Sequence, residues 1–101
     1  MIARLSEHGI KRARERLGLP KRALMRNVEK AFVSGISYKE VTGALGIFLN
    51  GLASQQSGDA EVRIYGYNVY IYRRDSFITV FTLPNEYHHT VDRIKKRRNC
   101  G

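Results

Sequence analysis

Apolar residues recur every three or four positions up to about residue 52 and every second position from residue 61 onward. That single change of period separates a helical part from a strand part. Ile10, Ala13 and Leu17 form a narrow stripe on a first helix, which Ser6 can cap and Gly18 stops. Pro20 suits the first turn of a second helix whose buried face is Leu24, Val28, Ala31 and Phe32 and whose end is Gly35. Ser37-Tyr38-Lys39-Glu40 has the spacing of a capping box, in which hydroxyl and carboxylate each satisfy a backbone N–H at a helix start. It predicts a third helix with Val41, Leu45, Phe48, Leu49 and Leu52 on one face. Gly43 and Gly46 weaken that helix and would let another element pack closely.

Residues 53–60 have no apolar period and predict a polar loop. Glu61–Tyr65, Val69–Arg73 and Phe77–Thr82 then read as short strands, separated by Gly66-Tyr67-Asn68 and Arg74-Asp75-Ser76 and closed by Leu83-Pro84. Connections this tight predict an antiparallel meander. Alternation places Val62, Ile64, Val69, Ile71, Ile78 and Val80 on one face of the sheet, suited to packing on helices. The other face would carry Arg63, Tyr65, Tyr70, Tyr72, Phe77, Thr79 and Phe81. The expected fold is α+β, with N-terminal helices packed on a sheet of three or four antiparallel strands. Residues 1–84 form one domain, and 85–101 form a basic C-terminal tail with at most a short helix around Val91 and Ile94.

A chain of 101 residues holds one core and not two. Its 43% apolar content and ten aromatic residues argue against a disordered basic segment. No stretch approaches the roughly 18 consecutive apolar residues that span a bilayer. The start, Met1 to Leu5, runs into charge at once, so no signal-peptide apolar region is expected. Cys100 is the only cysteine and cannot form an internal disulfide, so a reducing cytoplasm is the expected setting, with no membrane partner.

Net charge is +9, and its placement narrows the partner. Residues 1–30 hold nine Lys or Arg against three acids, residues 85–101 hold five against two, and residues 31–84 hold four of each. Excess charge at both ends of the chain favours a polyanion, because each neutralised phosphate releases counterions. Nucleic acid fits a folded domain of pI about 10.1. Solubility alone and an anionic membrane surface are the other readings of the same charge.

His8 and Arg12 lie four apart, on one side of the first helix, and Arg16 extends the row. A histidine beside cations can transfer protons near neutral pH while an arginine braces a phosphate. A solvent-facing basic helix is the plain reading of the same residues. Lys11, Lys21 and Arg22 add field and candidate phosphate contacts. On the strands, Tyr65, Tyr70 and Tyr72 beside Arg63 could stack bases, or form a second core layer covered by the C-terminal segment. Tyr87 and His88, with His89, are a second source of acid/base groups, and Lys95 and Lys96 begin an electrostatic arm. No Cys or His pair has metal-ligand spacing, and no cofactor motif is present.

Together these segments resemble the small RelE-like proteins of the barnase/EndoU/colicin/RelE superfamily that open with His-Ala-x-x-Arg. The matching residues are His8-Gly9-Ile10-Lys11-Arg12, Glu15-Arg16-Leu17-Gly18-Leu19-Pro20, Arg63-Ile64-Tyr65-Gly66, Val69-Tyr70-Ile71-Tyr72 and Phe77-Ile78-Thr79-Val80. Gly9 stands where that motif has alanine, and no second histidine falls on a strand. The resemblance implies a helices-on-sheet domain whose active members cut RNA without metal, the ribose 2′-OH attacking the adjacent phosphate. It puts His8 and Arg12 in the helix motif and Arg63 and Thr79 on the strands, leaving Tyr87, His88 or His89 to complete the site. Two functions follow as expectations. One is an RNA-binding protein of toxin-like type acting as a metal-independent ribonuclease. The other is a non-catalytic phage or mobile-element inhibitor that blocks a nucleic-acid-loaded host defence complex.

Overall fold

The structure, a computed structural model, describes residues 4–5, 7–55, 60–74 and 76–100. The predicted cap at Ser6, residues 56–59 of the polar loop and Asp75 of the second turn lie outside them, while residues 53–55 of that loop belong to a helix and Ala60 to a strand. In chain order the elements are β1 (Arg4–Leu5), α1 (Glu7–Leu17), α2 (Lys21–Ser34), β2 (Ile36–Ser37), α3 (Gly43–Gln55), β3 (Ala60–Tyr65), β4 (Asn68–Arg73), β5 (Ser76–Thr82) and α4 (His88–Cys100). Short 3₁₀ turns at Tyr38–Glu40 and Asn85–Tyr87 precede α3 and α4. The strand order is β1-β5-β4-β3-β2. β2 to β5 are antiparallel, and β1 adds a parallel edge against β5. The fold is α+β, with four helices on an antiparallel sheet of four strands and that added edge.

The helices form two layers, one on each face of the sheet. Leu24, Val28 and Ala31 of α2 and Ala13 of α1 pack on Tyr70, Tyr72, Phe77 and Val80. Leu45 and Leu49 of α3 and Val91 of α4 pack on Val62, Ile64, Val69 and Ile71. Each such fully buried leucine contributes about 1.5–3 kcal/mol. The helix over the C-terminal segment is longer than expected, 13 residues, and places Val91 in the core at 0% exposure. It covers the branched face. The aromatic face is covered by α1 and α2 instead of by the C-terminal segment.

Two local departures have clear physical causes. The capping box forms, with Ser37 N–H donating to Glu40 at 2.7 Å and the Ser37 hydroxyl accepting from Lys39 N–H. It caps the 3₁₀ turn, however, and α3 begins only at Gly43, where φ is +70°. A β-carbon on Gly46 would lie 2.5 Å from the Val41 carbonyl oxygen, so that glycine is what lets the incoming backbone cross α3. On β5, the pairing shifts between Ile71↔Thr79 and Tyr72↔Phe77, leaving Ile78 as an extra residue. One extra residue reverses every side chain beyond it. Val80 therefore joins the aromatic face and Phe81 the branched face, opposite to simple alternation.

The β3–β4 connection is a two-residue hairpin turn, Gly66-Tyr67. Gly66 has φ +64°, as primed hairpin turns require.

Candidate nucleic-acid interface

α1 has eleven residues, and its buried positions are the small Gly9 and Ala13, which seat it against β5. Glu7 in its first turn and Arg14 and Arg16 in its last suit the helix dipole. His8, Lys11, Arg12 and Arg14 are exposed, as are Lys21, Arg22 and Arg26 on α2. Among the described residues none of these seven has an ion-pair partner; the described pairs are Arg63 with Glu61 at 3.5 Å and Arg98 with Glu40 at 3.9 Å. Arg16 is differently placed. Its guanidinium donates to Thr79 Oγ1 at 3.0 Å and to the Val80 carbonyl at 3.1 Å, tying the end of α1 to β5. Arg16 and Thr79 are thus brought together.

Arg63 lies on β3, two strands and about 10 Å from β5. It pairs with Glu61, rests 5.8 Å from the Phe32 ring centroid, and has a buried Nε without a hydrogen-bond partner. Arg63, expected on phosphate, is held at the border of the α2–sheet interface with its side chain 25% exposed. Tyr70 and Tyr72 are corrected as base-stacking residues, because both are 0% exposed beneath α1 and α2. Tyr72 donates to the Val28 carbonyl at 2.6 Å and meets Phe32 and Phe77 edge-on. Burial raises its hydroxyl pKa well above the ordinary value. The buried Tyr70 hydroxyl makes no hydrogen bond of good geometry, and burial pushes its pKa up to about 12, the neighbouring Asn68 side chain opposing only weakly. Tyr65 is half-buried at the border of the same cluster.

The expected constellation of His8, Arg12, Tyr87 and His88 is not assembled. α4 packs on the branched face through Val91, so the sheet stands between α1 and the Tyr87–His88 pair. Tyr87 stacks on Phe48 with centroids 4.9 Å apart. His88 stacks on Tyr67 at 4.1 Å and 9°. Its Nε2 lies 3.0 Å from the Leu83 carbonyl, a contact that needs a proton on Nε2.

Around Tyr67 the structure builds a cluster that sequence reasoning missed. The Tyr67 hydroxyl donates to Asp92 Oδ1 at 2.6 Å, and that bond is the first cause of its raised pKa. Lys95 Nζ lies 5.0 Å from the Tyr67 ring centroid. His88, Asp92 and Lys95 are spaced four and three apart on α4, a period visible in the sequence. Their convergence on a hairpin turn was not. Lys96 is exposed on the same helix.

Among the described residues, no three His, Cys, Asp or Glu side chains could hold a metal ion. None of the described helices is long and apolar enough to cross a membrane. Comparison with protein-family models, with curated proteins and with solved structures finds no match to this chain.

Proposed function

We propose that this protein binds RNA in the cytoplasm through the cationic outer faces of its helices, α1 and α2 foremost. The observation that carries this reading is the set Lys11, Arg12, Arg14, Lys21, Arg22 and Arg26, exposed on two neighbouring helices and without acidic partners among the described residues. A face of unpaired cations gains affinity for a phosphate chain by displacing its counterions. Arginine adds paired donors that fit phosphate oxygens.

Cleavage is the narrower form of the proposal. In the RelE-like reading His8 would transfer the proton of the attacking 2′-OH or of the leaving oxygen, and Arg12 would hold the phosphate. That chemistry calls for a second proton-transfer group near His8, and Tyr87 and His88 lie across the sheet. This separation favours the second reading, a non-catalytic inhibitor whose basic surface blocks a nucleic-acid-loaded complex.

A mixed RNA ladder incubated with the protein in EDTA tests both. Retardation of the RNA that Lys11→Glu with Lys21→Glu abolishes is expected from the binding reading. Cleavage lost in His8→Ala, with retardation kept, would add the ribonuclease. Retardation without cleavage would leave the inhibitor reading, and neither retardation nor cleavage would overturn RNA binding.

A further inference from the structure

Cations stand exposed on both outer surfaces of this molecule. On the aromatic side of the sheet they are Lys11, Arg12 and Arg14 of α1 and Lys21, Arg22 and Arg26 in the first two turns of α2. On the branched side they are Arg93, Lys96 and Arg97, which share one side of α4 by their spacing of three and four. We infer that the protein is bivalent for RNA: α1 and α2 hold one strand while α4 holds a second. The inference rests on the RNA-binding reading and adds a function to it, the tethering of two strands.

The α4 cations are free for a ligand. Arg93, Lys96 and Arg97 have no ion-pair partner among the described residues. Asp92, the one acid of that helix, accepts from the Tyr67 hydroxyl at 2.6 Å. Their neighbours are used within the fold. Lys95 lies over the Tyr67 ring, and Arg98 donates to the Ser34 carbonyl at 3.1 Å and pairs with Glu40 at 3.9 Å.

The two sets act as separate patches. Where α2 meets α4, at Ser34, the cation is Arg98, and Glu40 balances it. Arg26 lies eight residues before Ser34, about 12 Å back along the helix. Between the patches stands the sheet, drawn almost wholly from residues 31–84, where four cations meet four acids. The molecule measures 35 × 27 × 26 Å. Charges are screened over about 8 Å at physiological salt. A strand that neutralises one face therefore leaves the field of the other nearly unchanged.

Neither face is built to read bases. Phe32 is the one Phe, Tyr or Trp of α1, α2 and α4, and it packs edge-on against Tyr72. Tyr67, the tyrosine left exposed, is already stacked on His88 with the Lys95 ammonium over its ring. Contacts are then to phosphate, and both strands keep their base edges free. Two strands on one small molecule meet at an effective concentration of roughly millimolar order, so complementary strands held this way pair faster.

Fluorescence cross-correlation tests the tether, using the full chain and two short oligouridines that cannot pair, one with a green dye and one with a red. Cross-correlation reports particles that carry both strands, and each dye alone reports single-strand binding. In wild type it should rise with protein and fall again in excess, since surplus molecules take each strand separately. Arg93→Glu with Arg97→Glu should lower it about tenfold further than single-strand affinity, because two phosphate contacts leave one face alone. The charge-matched control, Lys39→Glu with Arg73→Glu, changes exposed residues outside all three helices and should retain it. Cross-correlation kept in the α4 variant, or lost equally in the control, would overturn the second site. So would its return on mixing the α4 variant with Lys11→Glu, Lys21→Glu, which would trace the tether to paired copies. Single-strand binding without cross-correlation in wild type would overturn tethering and leave RNA binding standing. No binding of either strand would overturn the tether together with the reading beneath it.

Discussion

Tyr70 and Tyr72 are neighbours on one strand face, equally buried, yet their hydroxyls have opposite fates. Tyr72 donates to Val28, whereas the Tyr70 hydroxyl makes no hydrogen bond of good geometry. A buried hydrogen bond is worth about 1 kcal/mol net, while an unpaired buried hydroxyl costs free energy. Tyr72→Phe should therefore lower stability by about 1 kcal/mol, and Tyr70→Phe should leave it unchanged or raise it, as read from urea unfolding. The same burial sets an alkaline limit. An unfolded tyrosine loses its proton near 10.0, and Tyr70 in the folded chain near 12. Above pH 10 the unfolded state binds fewer protons than the native state, so stability falls as pH rises. Each such tyrosine contributes about 1.4 kcal/mol per pH unit until its folded pKa is reached. Unfolding midpoints should be insensitive to these tyrosines below pH 10 and fall above it, less steeply in Tyr70→Phe. At this scale the sequence was least legible: alternation put both tyrosines on one face, but nothing in it showed that two helices would cover them.

The glycines of α3 carry the clearest prediction among the elements. Gly46→Ala should cost about 1–3 kcal/mol, because the new methyl meets the Val41 carbonyl. Gly51→Ala, in the same helix with nothing within 4 Å, should stabilise by about 0.5–1 kcal/mol. Thermal melts of the two variants, shifting in opposite directions, check the pair. The periodicities of α2, β3 and β4 were readable because local pattern and tertiary burial agree there. The stop at Gly18, with φ +65° and its N–H donating to the Arg14 carbonyl, was readable for the same reason. The two-residue strands β1 and β2 were not, since a pair of residues has no period. Nor was the bulge at Ile78, which is defined by the partner strand and reverses Val80 and Phe81. The capping box was read correctly as chemistry and misplaced by one element, because a 3₁₀ turn uses the same cap as a helix.

Across the whole molecule, the uneven charge along the chain becomes an uneven charge in space. The neutral middle of the sequence builds α3 and four strands of the sheet, and the basic ends build α1, most of α2 and α4 around it. The excess was legible from composition. That it would be divided between two faces, with His8 and His88 on opposite sides, was not, because the order of layers depends on which sheet face α4 covers. The central claim is that the unpaired cations of these helices hold RNA phosphates. It is tested most directly by fluorescence anisotropy of a labelled single-stranded RNA across a salt series, with wild type beside Lys11→Glu, Lys21→Glu. Each phosphate contact contributes about 0.7 to the slope of log Kd against log salt. The account predicts a slope of about 3 or more that falls by about 1.4 in the double variant, two contacts being lost. A flat slope, or a steep one that the double variant leaves unchanged, would contradict it.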